Sequence, residues 1–303
     1  MWKSQVIPNP PAQQFGLLSG ISQSLAGRVG MVRLLPFSMV ELADASLLPE
    51  NLDTLLHQGC YPPLYDRAVS PGDWFAGYVA TYVERDVRQL VNVRDLSAFQ
   101  RFLRMCAARS GQLLNLSSLA SDCGITHNTA SAWLSVLEAS YVVHLLRPHH
   151  RNFNKRLVKA PKLYFCDAGL AAWLMGIREP HEVTFHAQRG NLFETLIVAE
   201  FLKRCWNDGM DSNLFFWRDS KGLEIDLIVE EGERLTPVEI KSGATIADDF
   251  RDNLKKWSGL AGDPDLPSWL IHGGDRLITT GPTRFVPWQK LGQGDCFPGQ
   301  KSI

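Results

Sequence analysis

The chain has 303 residues, 45% hydrophobic and 21% charged, which suits two or three domains with buried cores. Its net charge of −1 excludes a global electrostatic pull on nucleic acid or membrane, so any basic surface must be local. No apolar run approaches the roughly 20 residues that cross a bilayer and no signal pattern opens the sequence, so the expected compartment is the cytoplasm. The cysteines at 60, 106, 123, 166, 205 and 296 form no C-x-x-C pair, which argues against a zinc site or a disulfide framework and leaves buried thiols.

Pro8, Pro10 and Pro11 forbid a helix at the start. Residues 16–27 then read as a helix with Leu17, Leu18, Ile21 and Leu25 on one side and Gly27 as its stop. A strand follows at 29–37, and Ser38 caps the short helix MVELAD. Pro62-Pro63 and Pro71-Gly72 mark a break. Asp73 is expected to cap a long amphipathic helix whose stripe is Phe75, Val79, Tyr82, Val83 and Val87. A second helix runs from Ser97 to a stop at Gly111.

Residues 116–136 fit a helix-turn-helix, with Ala120 at the close approach, Gly124 in the turn, and Ala130 and Trp133 pointing inward. Its second helix offers Thr126, His127, Asn128, Ser131 and Ser135, with no arginine or lysine to read guanine. Residues 141–150 would be the first strand of a wing. Between positions 147 and 162 lie Arg147, Arg151, Lys155, Arg156, Lys159 and Lys162 with no acid, a basic patch suited to nucleic-acid phosphates. His149 and His150 read as part of that basic surface. Residues 178–182 read as a linker. Beyond it the pattern is helix (191–206), strand (213–219), hairpin (222–243), helix (246–260) and strands near 268–274 and 284–288, which indicates a mixed sheet with helices on its faces.

The chemistry concentrates in the hairpin. Leu223, Ile225, Leu227 and Val229 alternate with Glu224, Asp226 and Glu230; Val238 and Ile240 alternate with Glu239 and Lys241. A turn centred on Gly232 and Glu233 sets Asp226 opposite Glu239. Like charges opposite one another destabilise a hairpin, so a cation between them is implied, and Mg²⁺ suits two oxygen ligands. Lys241, two residues beyond Glu239, projects on the same side, where it would orient or help deprotonate an attacking water and offset phosphate charge. The preceding helix offers Glu194 or Glu200 as a third carboxylate, and Glu194 is preferred. The alternative is a solvated polar face on an antiparallel hairpin.

D-(x)12-E-x-K on adjacent strands after a glutamate-bearing helix resembles the PD-(D/E)-x-K restriction-endonuclease-like superfamily, with Ile225-Asp226 in place of proline-aspartate. The motifs at 24–38, YVERDVRQL at 82–90, ARSGQLLN at 108–115, the helix-turn-helix, NKRLVKAPKLYFCDAGL at 154–170, GNLFE at 190–194 and FWRDSKGLEIDLIVE at 216–230 occur together. They resemble the prokaryotic AAA+-type ATPases that carry domain of unknown function 4143, over about residues 16–245. The resemblance implies an α/β (mixed α+β) architecture. Its parts would be a remnant of the ATPase core (1–70), a helical and winged-helix domain (71–178), and a nuclease-like domain with a mixed sheet (184–303).

At its start the sequence departs from that family. No G-x-x-x-x-G-K-[ST] occurs; Gly16 and Gly20 have the wrong spacing and no lysine follows. Asp167, at the end of LYFCD, reads as a helix cap beside core residues. The expectation is therefore a chain that begins near the last strands of the ATPase core and has no ATP site, acting as a homo-oligomer or with a separate ATPase subunit. Arg28 and Arg85 would serve an ATPase site in a full-length relative or a neighbouring subunit; solvated faces or helix-pairing salt bridges are the alternative. The expected function is Mg²⁺-dependent cleavage of DNA, with Asp226 and Glu239 binding metal, Lys241 assisting the nucleophile and Glu194 in support. A non-catalytic nucleic-acid-binding or regulatory module is the alternative.

Overall fold

The structure is a computed structural model and describes residues 32–83, 95–151, 153–294 and 297–298. The expected helix at 16–27, Arg28 and Arg85 lie outside these residues. Residues 32–37 form no strand; Phe37 N–H instead donates to the Cys60 carbonyl at 2.9 Å. Ser38 opens α1 (Met39–Asp44) with a capping box: its hydroxyl accepts from Glu41 N–H, and the Glu41 carboxylate accepts from Ser38 N–H. Asn51 caps α2 (Leu52–Gln58), and α3 (Pro63–Asp66) follows. Helix α4 (Pro71–Tyr78) is capped by Ser70, not Asp73, because Pro71 fits the first helical turn, where its missing N–H has no partner to lose. It continues as a π-helical turn, Val79–Val83.

Asp95 caps α5 (Leu96–Ala108), which leads into β1 (Gln112–Leu113). Helices α6 (Leu116–Cys123) and α7 (His127–Ala139) are joined through Gly124 in the left-handed conformation. Ala120, Ala130 and Trp133 are buried as expected, with Phe99 and Phe102 packed edge-on against Trp133. Strands β2 (Val143–Leu146) and β3 (Lys162–Phe165) join β1 in an antiparallel sheet of order β1-β3-β2. Asp167 caps α8 (Ala168–Leu174) by accepting from Leu170 N–H. Residues 180–182 of the expected linker open α9 (Pro180–Phe185). Pro180 starts it, Glu182 accepts from backbone N–H groups at its entrance, and Val183 is buried.

The long helix α10 (Arg189–Asn207) precedes β4 (Leu214–Arg218), β5 (Glu224–Glu231) and β6 (Arg234–Lys241). After α11 (Asp252–Ala261) come β7 (Ser268–His272), β8 (Ile278–Thr280) and β9 (Thr283–Pro287). The sheet order is β4-β5-β6-β7-β9-β8, antiparallel except for the parallel pairs β6-β7 and β7-β9. The fold is mixed α/β, and none of its described helices is long and apolar enough to cross a membrane. Strand β8 escapes the sequence pattern because its three residues are all exposed and do not alternate.

Each face of this sheet is covered by a helix. Leu192, Phe193 and Leu196 of α10 share a core with Leu227, Val229, Val238, Ile240 and Ile271. Leu254 and Trp257 of α11 pack with Ile225, Ile228, Leu235, Leu270 and Phe285. The first core is continuous from Met39 to Phe297. The basic segment runs along the β4 edge. Phe216 N–H donates to the Arg147 carbonyl, His149 N–H to the Phe216 carbonyl, and Val158 N–H to the Arg218 carbonyl, at 3.1, 2.7 and 3.0 Å.

Candidate active site

Local pairing builds the site. Phe215 pairs with Ile228 and Trp217 with Ile225, so β5 carries one residue more than β4 across this interval. That is a β-bulge, a device that re-aims side chains. Ile225 and Ile228 consequently both reach the α11 side, while Leu227 and Val229 reach the α10 side. The regular alternation expected through Ile225, Leu227 and Val229 is therefore interrupted at Asp226. The hairpin turn lies where expected: Glu231 pairs with Arg234 around Gly232, whose φ is +62°. Paired positions extend back to Leu227 and Val238, one step short of Asp226 and Glu239. Beyond them the Asp226 carboxylate itself accepts from Ile240 N–H at 2.8 Å.

Glu194, Asp226, Glu239 and Lys241 come together. Lys241 Nζ lies 2.6 Å from Glu239 Oε2 and 3.5 Å from Asp226 Oδ2. Glu194 approaches from α10 and accepts from Lys162 Nζ at 2.9 Å and from the Tyr164 hydroxyl. Lys162 also pairs closely with Glu224, which Arg218 holds from its other side at 2.7 Å. Glu200, the less favoured candidate, is six residues further along α10, about 9 Å by helical rise. It accepts from Met39 N–H at 2.7 Å and Lys203 Nζ at 2.6 Å, so it ties α10 to α1.

The basic patch divides. Arg147, Arg151, Arg156 and Lys159 are exposed and Lys155 is half-buried, whereas Lys162 is 2% exposed and belongs to the carboxylate cluster. The correction has a simple cause: β3 carries Lys162 inward among acids whose charge offsets its burial. His149 is likewise buried, not superficial, and its ring Nε2 lies 3.2 Å from Glu230. Lys162 as a site member, Tyr164, Glu224 and Arg218 were not anticipated in the site. A signal for the first two exists in Lys-Leu-Tyr-Phe, where strand parity sets Lys162 and Tyr164 on one face.

Burial pushes the Glu239 carboxyl up, and the neighbouring Asp226 adds to the effect, reaching about 9 despite Lys241. Burial also raises Glu194. Burial acts upward on Asp226 too, but Lys241, Lys162 and the Ile240 N–H outweigh it and hold this carboxyl below its ordinary value. Burial would lower both lysines, yet the acids around them raise them, so each is a firm cation at neutral pH. Lys241 is therefore suited to offset negative charge, and its protonation removes it as a resting base.

Among the described residues, no group of three or more histidine, cysteine, aspartate or glutamate side chains is arranged to hold a metal ion. Glu239 Oε1 is nevertheless buried away from any N–H or hydroxyl donor, with the Asp226 carboxylate as its neighbour. Mg²⁺ typically binds through one or two carboxylates, keeping water and substrate phosphate as its other ligands. Asp226 and Glu239, so apposed, fit such an ion.

Residues 49–181 match the profile of a domain of unknown function (DUF8612), and residues 189–291 match that of another (DUF4143). The chain carries both domains. The motifs at 82–90, 108–115 and 154–170 fall in the first match, those at 190–194 and 216–230 in the second, and that at 24–38 in neither. Uncharacterized proteins of Mycobacterium tuberculosis and Mycobacterium bovis are each 29% identical over 226 residues, covering 74% of this chain and 49% of theirs. The chain thus spans about half the length of the curated relatives it matches. No solved structure matches it significantly.

Proposed function

We propose that the cluster around Asp226 and Glu239 hydrolyses phosphodiester bonds of DNA with the help of a divalent cation, Mg²⁺ in the cell. The observation that carries this reading is the buried apposition of Glu239 and Asp226, whose carboxyls share a hydrogen bond at a place where a divalent cation would replace the proton. A bound Mg²⁺ would supply Lewis-acid polarisation of the phosphate and a more acidic water. Asp226 and Glu239 would hold the ion, which would displace the proton that Glu239 otherwise keeps. Lys241 offsets the charge of the scissile phosphate, and Glu194 supports the site from α10. The resemblance to the PD-(D/E)-x-K superfamily points the same way, and the antiparallel order β1-β3-β2 behind α6 and α7 supports a winged-helix reading of the preceding module. In this reading the chain alone is expected to show no tight ATP binding by calorimetry.

The test is cleavage of linear and circular DNA with Mg²⁺ or Mn²⁺. Asp226→Ala and Lys241→Ala should each reduce the rate by about 100-fold or more, the scale of losing a major electrostatic contributor. Cleavage that survives both substitutions sinks the proposal. A second reading, nucleic-acid binding without turnover, draws support from the exposed Arg147, Arg151, Arg156 and Lys159. It predicts binding that weakens steeply with salt and drops on charge reversal at Arg156 and Lys159, with Asp226→Ala unchanged.

A further inference from the structure

Lys162 comes from β3 of the small sheet, yet its ammonium lies inside the cluster of the large one. It is 2% exposed and is paired with Glu194 on α10 and Glu224 on β5. The Phe216 ring lies 5.6 Å from the same ammonium. Glu194 Oε1 accepts from both Lys162 and Tyr164, so two donors from β3 engage the same oxygen. Asp226 lies close enough for its charge to act on both Glu194 and Lys162. An ammonium and a divalent cation compete for the same hard oxygens, and removing a buried cation leaves its carboxylates seeking another.

We propose that Lys162 is a positioning residue that withholds Glu194 from the cation held by Asp226 and Glu239. The inference rests on the metal reading above and adds to it a control over the number of carboxylate ligands. With β3 seated, the site offers two carboxylates to the ion; without the Lys162 ammonium it offers Glu194 as a third. The large sheet's metal affinity is thereby tied to the seating of the small sheet. The same covalent segment carries the exposed Lys159, three residues before Lys162.

The experiment is calorimetric titration of the full chain with Mn²⁺ alone. Lys162→Met is expected to bind Mn²⁺ at least tenfold more tightly than wild type, and adding Glu194→Gln should abolish that gain. Lys162→Arg, which keeps the charge, should stay near wild type. In parallel, Mn²⁺ should raise the melting temperature of Lys162→Met more than that of wild type. A folded Lys162→Met chain with unchanged or weaker affinity overturns the inference. Should that variant fail to fold, Glu194→Gln alone decides. Affinity within twofold of wild type supports a withheld Glu194, and a tenfold loss overturns it. Asp226→Asn tests the underlying metal reading separately: Mn²⁺ binding that survives it removes Asp226 as a ligand, whatever Lys162→Met does.

Discussion

Glu239 is a buried acid held between Lys241 and the Asp226 carboxylate. Its pKa is about 9 in the fold, against about 4.3 in an unfolded chain. Between those values the folded chain keeps a proton that the unfolded chain releases, so stability falls as pH rises through that window. In the presence of a chelator, the urea-unfolding free energy of wild type should decline from pH 5 to 9. Glu239→Gln should flatten the decline and be more stable than wild type at pH 8 by about 1 kcal/mol or more, since each pKa unit corresponds to about 1.4 kcal/mol. A less stable Glu239→Gln chain at pH 8 would contradict this. His144 works in the opposite direction. Burial, then Arg147, lowers its imidazole to about 4, so the unfolded chain gains the proton first as pH falls below about 6.5. His144→Leu should therefore reduce the loss of stability between pH 6.5 and 4 in the same urea series. Asp226, Glu239 and Lys241 are legible in the sequence because one tight turn and strand parity fix their relation within 16 residues. For Lys162 and Tyr164 strand parity shows only that they share a face; their pairing with Glu194 is not legible, because a contact between separate elements leaves no local periodicity.

Among the elements, the crossing of α2 and α8 is the closest to a fixed requirement. Helix α2 ends at Gly59, whose φ is +71°. The Asp167 carboxylate, which caps α8, also accepts from Cys60 N–H at 2.7 Å. A Cβ on Gly169 would lie 2.4 Å from Gly59 N, against backbone that has nowhere to move. Gly169→Ala should cost about 3 kcal/mol or more, as severe overpacking does. Gly259 in α11 is the contrast: it is helical, and nothing lies within 4 Å of the place a Cβ would take. Gly259→Ala should stabilise by about 0.5–1 kcal/mol through helix propensity. Equal effects of the two substitutions in urea melts would refute the backbone-contact argument. The caps at Ser38 and Asp167 are readable from sequence because a side chain and the helix it starts are neighbours. Asp73 misleads because Ser70 and Pro71 together start the helix one turn earlier. Residues 178–182 look like a linker by composition, but 180–182 open α9, fixed by the Glu182 cap and the burial of Val183.

At the scale of the molecule, three contributions to the large sheet come from residues before α10. Lys162 supplies the counter-charge for Glu194 and Glu224. The segment from Arg147 to Val158 satisfies backbone groups of β4, which would otherwise be an open edge. The core that holds α10 continues through α1, α2, α5 and α8. A chain reduced to residues 184–303 loses all three at once. Breaking a buried ion pair from one side costs about 3–5 kcal/mol, and about 1 kcal/mol shifts the melting temperature of a domain this size by 2–8 °C. The reduced chain should therefore melt at least about 10 °C below the full one, or aggregate through the exposed β4 edge. The full chain should unfold in a single transition by calorimetry and circular dichroism alike. Extending the short chain back to residue 140 restores the β4 cover, Lys162 and α8 but not α1, α2 and α5, so it should recover solubility before it recovers the full melting temperature. A monomeric 184–303 chain with the melting temperature of the full protein would show that the preceding residues are passengers on the sheet, and Lys162 with them.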